Sequence, residues 1–132
     1  MTQRDAANPA ATIVSAAVLV APNLAVAGIS LTPIMESWTH SKRTIEAMLT
    51  GRTLYDEAQI RHDLQQYIAS SSMAARDVKR GTAEARDFAS RFEVLANESR
   101  TTLGTVSQPS ALRMSFNRMV GDCQSCHAIY NN

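Results

Sequence analysis

From residue 31 onward the apolar positions fall into four runs, each with the three-and-four spacing of a helix that buries one face. The first predicted helix spans Pro33 to Thr50, with Ile34/Met35, Trp38, Ile45 and Met48/Leu49 as its stripe and Lys42, Arg43 and Glu46 facing elsewhere. Thr32 is placed to cap it, Pro33 suits its first turn, and Gly51 ends it. The second runs from Asp56 to Arg80, with acidic Asp56 and Glu57 at its positive end and Gly81 closing it. Its stripe is Ile60, Leu64, Tyr67/Ile68, Ser71, Ala75 and Val78. The third starts at Thr82 and runs to Leu103, with Ala85, Phe88, Phe92, Leu95, Ser99 and Leu103 on one face and Gly104 as its cap. The fourth starts near Pro109 or Ser110 and reaches Tyr130, placing Leu112, Phe116, Met119/Val120, Cys123, His127 and Tyr130 on one face.

Four such helices with short connections cannot bury their stripes singly. They predict an all-α fold, an antiparallel up-down-up-down four-helix bundle. The connection between the second and third helices is little more than Gly81, so one continuous kinked helix is the competing arrangement there.

Residues 11–27, "ATIVSAAVLVAPNLAVA", break the pattern: they carry no charge and end in the small-x-small triplet Ala25-Val26-Ala27. Residues 1–27 read as a secretory signal peptide cleaved before Gly28, leaving residues 28–132 as the domain. A buried N-terminal helix and an uncleaved anchor are the other readings, but the stretch is short for a bilayer span and Pro22 interrupts it. No other segment predicts a membrane span, so the cleaved protein is expected to have no stable membrane insertion.

Composition adds little constraint. The 132 residues carry 13 Lys plus Arg against 12 Asp plus Glu, and no basic run predicts a nucleic-acid surface. No nucleophile–base set and no phosphate-binding loop predicts an enzyme.

The chemistry is concentrated in Cys123-Gln124-Ser125-Cys126-His127, which holds both cysteines of the chain. A disulfide inside C-x-x-C on a helix is strained and leaves His127 without a role. A redox dithiol belongs at the start of a helix in a βαβ setting, not late in the last helix of an all-helical chain. Structural zinc needs four ligands, and His40 and His62 do not sit at a paired ligand spacing. C-x-x-C-H is instead the attachment signature of c-type haem. The thiols of Cys123 and Cys126 would join the two vinyl groups, and His127 would supply the proximal iron ligand. Export, predicted independently by the N-terminal segment, is what such attachment requires.

A C-terminal C-x-x-C-H in the last helix of a four-helix bundle resembles the cytochrome c′ family, the class II c-type cytochromes. "LRMSFNRMVGDCQSCHAIY" (112–130) looks like the family's last helix, and "AMLTGRTLYDEAQI" (47–60) resembles its first interhelical turn. The resemblance covers about residues 31–130 and implies one covalent haem c. It places the distal residue on the first helix, sixteen residues before Gly51, which is Met35. Members with a methionine there resemble six-coordinate electron carriers. Members with a small aliphatic residue keep an open five-coordinate iron that binds nitric oxide or carbon monoxide. Packing in the core is the alternative role for Met35. His40 and His62 fall off the stripes and read as surface residues, while Trp38 reads as core.

The sequence departs from the family at Asn131, where an arginine often follows the final aromatic, and at Leu31 and Thr32, where basic residues often serve a haem propionate. Arg43 and Arg52 are the cations nearest in sequence to fill that second role. The resemblance implies a periplasmic electron carrier working with transient redox partner proteins, with gas binding as the alternative and a haem-bearing subunit of a larger redox enzyme as a remoter one. It also implies a homodimer through the first two helices, the half that holds Trp38 and Tyr55.

Overall fold

Helices form where the stripes predict them. The computed structural model describes residues 25–26 and 29–130. Apart from Ala25 and Val26, the predicted signal peptide lies outside the described residues. The described residues form four helices: α1 (Thr32–Leu49), α2 (Glu57–Asp77), α3 (Ala83–Leu103) and α4 (Pro109–Tyr130). Before them, Ala25–Val26 (β1) pairs antiparallel with Ile29–Ser30 (β2), Ala25 opposite Ser30 and Val26 opposite Ile29. The architecture is a four-helix bundle. Among the described residues no helix is long and apolar enough to cross a membrane.

Two boundaries differ from the sequence expectation. α1 starts one residue early: Leu31, not Thr32, is its N-cap and makes no side-chain cap bond. Leu31 is 2% exposed, so burial of its side chain sets the entry into the helix in place of a capping hydroxyl. α2 ends at Asp77, short of Arg80, because Val78 turns out of helical geometry (φ −61°, ψ 123°) and buries its side chain in the core. Residues 78–82 therefore separate two distinct helices. The other ends follow local chemistry. Asp56 accepts from the Gln59 amide at 3.0 Å and Thr82 from the Ala85 amide at 3.1 Å. Gly51 takes φ +74°, the left-handed conformation that stops α1 after its last turn.

The stripes meet in one core that includes Ile45, Leu64, Phe92, Leu112 and Phe116. Buried hydroxyls on α2 and α3 are satisfied locally: Ser71 and Ser99 donate to the carbonyls of Tyr67 and Leu95. Thr102 and Ser115 share a 2.7 Å bond that links α3 to α4. Helix α2 touches α3 at Ser72–Arg100, Arg80 of the connection pairs with Glu93 of α3, and α3 meets α4 again at Glu98–Arg118 and Asp87–Tyr130. These two helix pairs pack closely. α1 packs more loosely on α2, and α1–α4 is not among the closely packed pairs.

Phe92 is 3% exposed and touches rings of both α1 and α3 neighbours. Phe92→Ala is expected to lower the unfolding free energy by about 3–5 kcal/mol, read from denaturant unfolding followed by far-UV circular dichroism.

Candidate functional site

The two halves of α4 are packed differently. Leu112, Ser115, Phe116 and Met119 are buried, but from Val120 to Tyr130 no residue is. Cys123 and Cys126 are half-buried with unpaired thiols, and His127 is exposed. The three-residue spacing brings the two sulfurs to one face of the helix, and that face borders the loosely packed side of α1.

Two hollows lie there. The larger, ≈ 320 Å³, is lined by Met35, Trp38, Tyr67, Val120, Cys123 and His127, with Lys42 and Arg43 also on its wall. The smaller, ≈ 40 Å³, is lined by Met35, Trp38, Phe92, Leu95, Cys123 and Cys126, with Arg91 and Asp122 beside them. Met35, Trp38 and Cys123 line both. The structure thus gathers the four residues singled out in the sequence: Met35 and Cys123 share both hollows, His127 joins them in the larger and Cys126 in the smaller. His40 is exposed, and it shares with Met35 an outer cleft that none of the α4 motif residues line. His62 is exposed on α2 and lines neither hollow. Of the two candidate cations, Arg43 reaches the larger hollow, while Arg52 is turned to the Thr50 hydroxyl at 3.1 Å.

Trp38 is the fixed wall. It is 6% exposed, its indole N–H donates to the Ser70 hydroxyl at 2.8 Å, and its carbonyl accepts from the Tyr67 hydroxyl. Its ring stacks on Tyr67 (centroids 5.8 Å) and meets Phe92 edge-on (6.1 Å). Burial raises the Tyr67 phenol well above its ordinary range, so Tyr67 serves as a neutral hydrogen-bond donor.

The electrostatics discriminate among the chemistries open to two thiols and an imidazole. Burial pushes both thiols up, Cys123 with a further push from Asp122, so neither is a poised thiolate. Reactive dithiols have the opposite shift. Among the described residues no three His, Cys, Asp or Glu side chains converge as a metal set. The donors gathered along this face are two thiols, the His127 imidazole and the Met35 thioether, the nitrogen and soft sulfur types that could hold a haem iron.

Beyond the motif, Tyr130 fastens the last turn of α4. Its hydroxyl donates to Asp87, and its ring packs on Phe88 with centroids 4.3 Å apart. Arg91 bonds the same carboxylate at 2.8 Å, and its guanidinium stands 5.9 Å from the Tyr130 ring centroid. A guanidinium thus stands beside Cys126 from α3, although Asn131 rather than an arginine follows Tyr130. Sequence reasoning missed Arg91 and Asp122. Tyr67, Phe92 and Leu95 were legible as stripe residues, but not as walls of the site.

The Arg91 and Tyr130 bonds hold the Asp87 carboxyl below its ordinary range. A depressed carboxylate contributes its stabilisation above the ordinary aspartate value of about 3.9 and loses it as pH falls through the lowered value. Amide-exchange protection in the last turn of α4 is therefore expected to persist to mildly acid pH and to drop in that lower window. Tyr130→Phe should reduce the protection at neutral pH, measured by hydrogen exchange. No known protein family, curated protein or solved structure matches this chain.

Proposed function

We propose that this chain is an exported haem protein of the cytochrome c′ type, an electron carrier with one covalent haem c and no catalytic activity of its own. The observation that carries the reading is the sharing of both hollows by Met35 of α1 and Cys123 of α4, with Cys126 and His127 on the same turns. The opposed contacts also support it. Ser72–Arg100 and Arg80–Glu93 on one pair, and Thr102–Ser115 and Asp87–Tyr130 on the other, are what an up-down-up-down order produces. The uncharged segment ending in Ala25-Val26-Ala27 supports export to the periplasm.

In this reading Cys123 and Cys126 anchor the group as thioethers, and His127 presents its imidazole from the same helix. Met35 offers a thioether from α1. Haem supplies a one-electron iron couple, and a soft methionine ligand favours the reduced form. Trp38, Tyr67, Phe92 and Leu95 exclude water from the inner side, and Lys42 and Arg43 place positive charge at the rim where carboxylates could be met. Electrons would pass to transient partner proteins at the exposed side, where His127 and Gln124 lie. A homodimer through α1 and α2 would leave Trp38 as internal packing and the Tyr55 hydroxyl bonded to the Val106 carbonyl of its own chain.

Export and co-expression with haem-attachment machinery should yield a protein whose haem stays with the polypeptide through denaturation and mass spectrometry. Cys123→Ser together with Cys126→Ser should abolish that linkage, and a wild-type chain that never acquires haem under these conditions sinks the proposal. Optical spectra then divide the two ligation states. A low-spin spectrum in both redox states is expected for wild type, and Met35→Ala should give high-spin iron that binds carbon monoxide rapidly. A wild-type spectrum that is already high-spin and five-coordinate makes the protein a gas binder.

A further inference from the structure

On a different face of α3 a groove of ≈ 450 Å³ runs between α2 and α3, and it shares no lining residue with either hollow beside α4. Ser72, Arg76, Arg80, Glu93, Asn97 and Arg100 supply its polar groups. Three arginines and one glutamate thus line it, in a chain whose overall charge is only +1. The volume lies in the range of small-molecule sites.

Two of the three guanidiniums are held in place by neutral groups, which orient a cation without cancelling it. Arg80 donates to the Ala75 carbonyl at 2.8 Å, and Arg100 donates to the Asn97 side-chain oxygen at 2.8 Å and the Ser72 hydroxyl at 3.1 Å. The one carboxylate, Glu93, stands 3.5 Å from Arg80 with most of its side chain exposed, a separation typical of a weak surface pair. Arg76 is paired outward, with Asp77 at 3.2 Å. Each guanidinium carries five N–H donors in a fork that matches carboxylate and phosphate oxygens, so these bonds leave donors free.

We propose that the α2–α3 groove binds a small multivalent oxyanion, a phosphate- or polycarboxylate-bearing molecule. Arg80 and Arg100 act as its two oriented clamps, and Arg76, exposed and paired with Asp77, as the third once it turns from that partner. The site does not rest on the haem reading and would be present with or without that group.

Isothermal titration of the full chain with pyrophosphate and, separately, with citrate tests it, backed by amide chemical shifts. One-to-one saturable binding of either probe is expected, with shifts centred on residues 72–80 and 93–100. Arg80→Gln and Arg100→Gln should each weaken it about tenfold. Arg52→Gln, which removes the same charge from a loop outside the groove, should leave the affinity unchanged, and circular dichroism of each variant reports its fold. A stronger response to pyrophosphate assigns a phosphate ligand, and a stronger response to citrate assigns a polycarboxylate. Absence of saturable binding by both probes, or equal weakening by Arg52→Gln, overturns the proposal.

Discussion

The indole of Trp38 joins α1 to the rest of the bundle. One side chain donates to Ser70, stacks on Tyr67 and meets Phe92 edge-on, while its backbone carbonyl takes the Tyr67 hydroxyl. A buried indole N–H and a buried phenol both need partners, and here each supplies part of the other's surroundings. Because α1 is otherwise the most loosely packed of the four helices, this cluster is its main tie to α2 and α3, while α1 and α4 stand apart. The hollows that hold Met35 and the two cysteines open on either side of it.

That spacing explains why α4 changes character along its length. Its first half is sealed by Leu112, Phe116 and Met119, with the Thr102–Ser115 hydroxyl pair as a polar tie to α3. Its second half relies on a peripheral clamp, Tyr130 with Phe88, Asp87 and Arg91, and carries Cys123, Cys126 and His127 between the clamp and the core. A rigid helix pinned at both ends presents two sulfurs and an imidazole without a flexible loop. The α2–α3 pair is built differently: its packing is tight and its surface groove is lined with oriented guanidiniums. One side of the bundle therefore opens on hollows walled by Met35, Trp38 and Cys123 with Lys42 and Arg43 at the larger one, and another on a groove lined mainly by polar side chains.

Much of this was legible in the chain. Helical periodicity located all four helices, since apolar residues at three-and-four spacing have no other way to reach a common core. The helix starts at Asp56 and Thr82 and the stop at Gly51 were equally local, and the structure adds that Asp56 and Thr82 cap rather than begin their helices. The two boundaries that moved, at Leu31 and Val78, moved because burial of a side chain outweighed the nearby capping and stop signals. The Cys123–His127 spacing was legible because a C-x-x-C-H motif is contiguous, and one helical turn suffices to describe it.

What the sequence determined by itself, then, was whatever depends on neighbours along the chain: the helices, most of their ends and the C-x-x-C-H spacing. Only the tertiary structure decided which residues from other helices meet that motif. Met35 stands beside Cys123, Asp87 and Arg91 of α3 meet Tyr130 of α4, and Tyr67 closes the wall behind Trp38. Arg76, Arg80 and Arg100 likewise belong to one groove only after α2 and α3 have packed. The physical reason is common to all of these. A helix brings together residues three and four apart, but contacts between helices depend on crossing, spacing and the shapes of buried rings, and no local pattern encodes those separately.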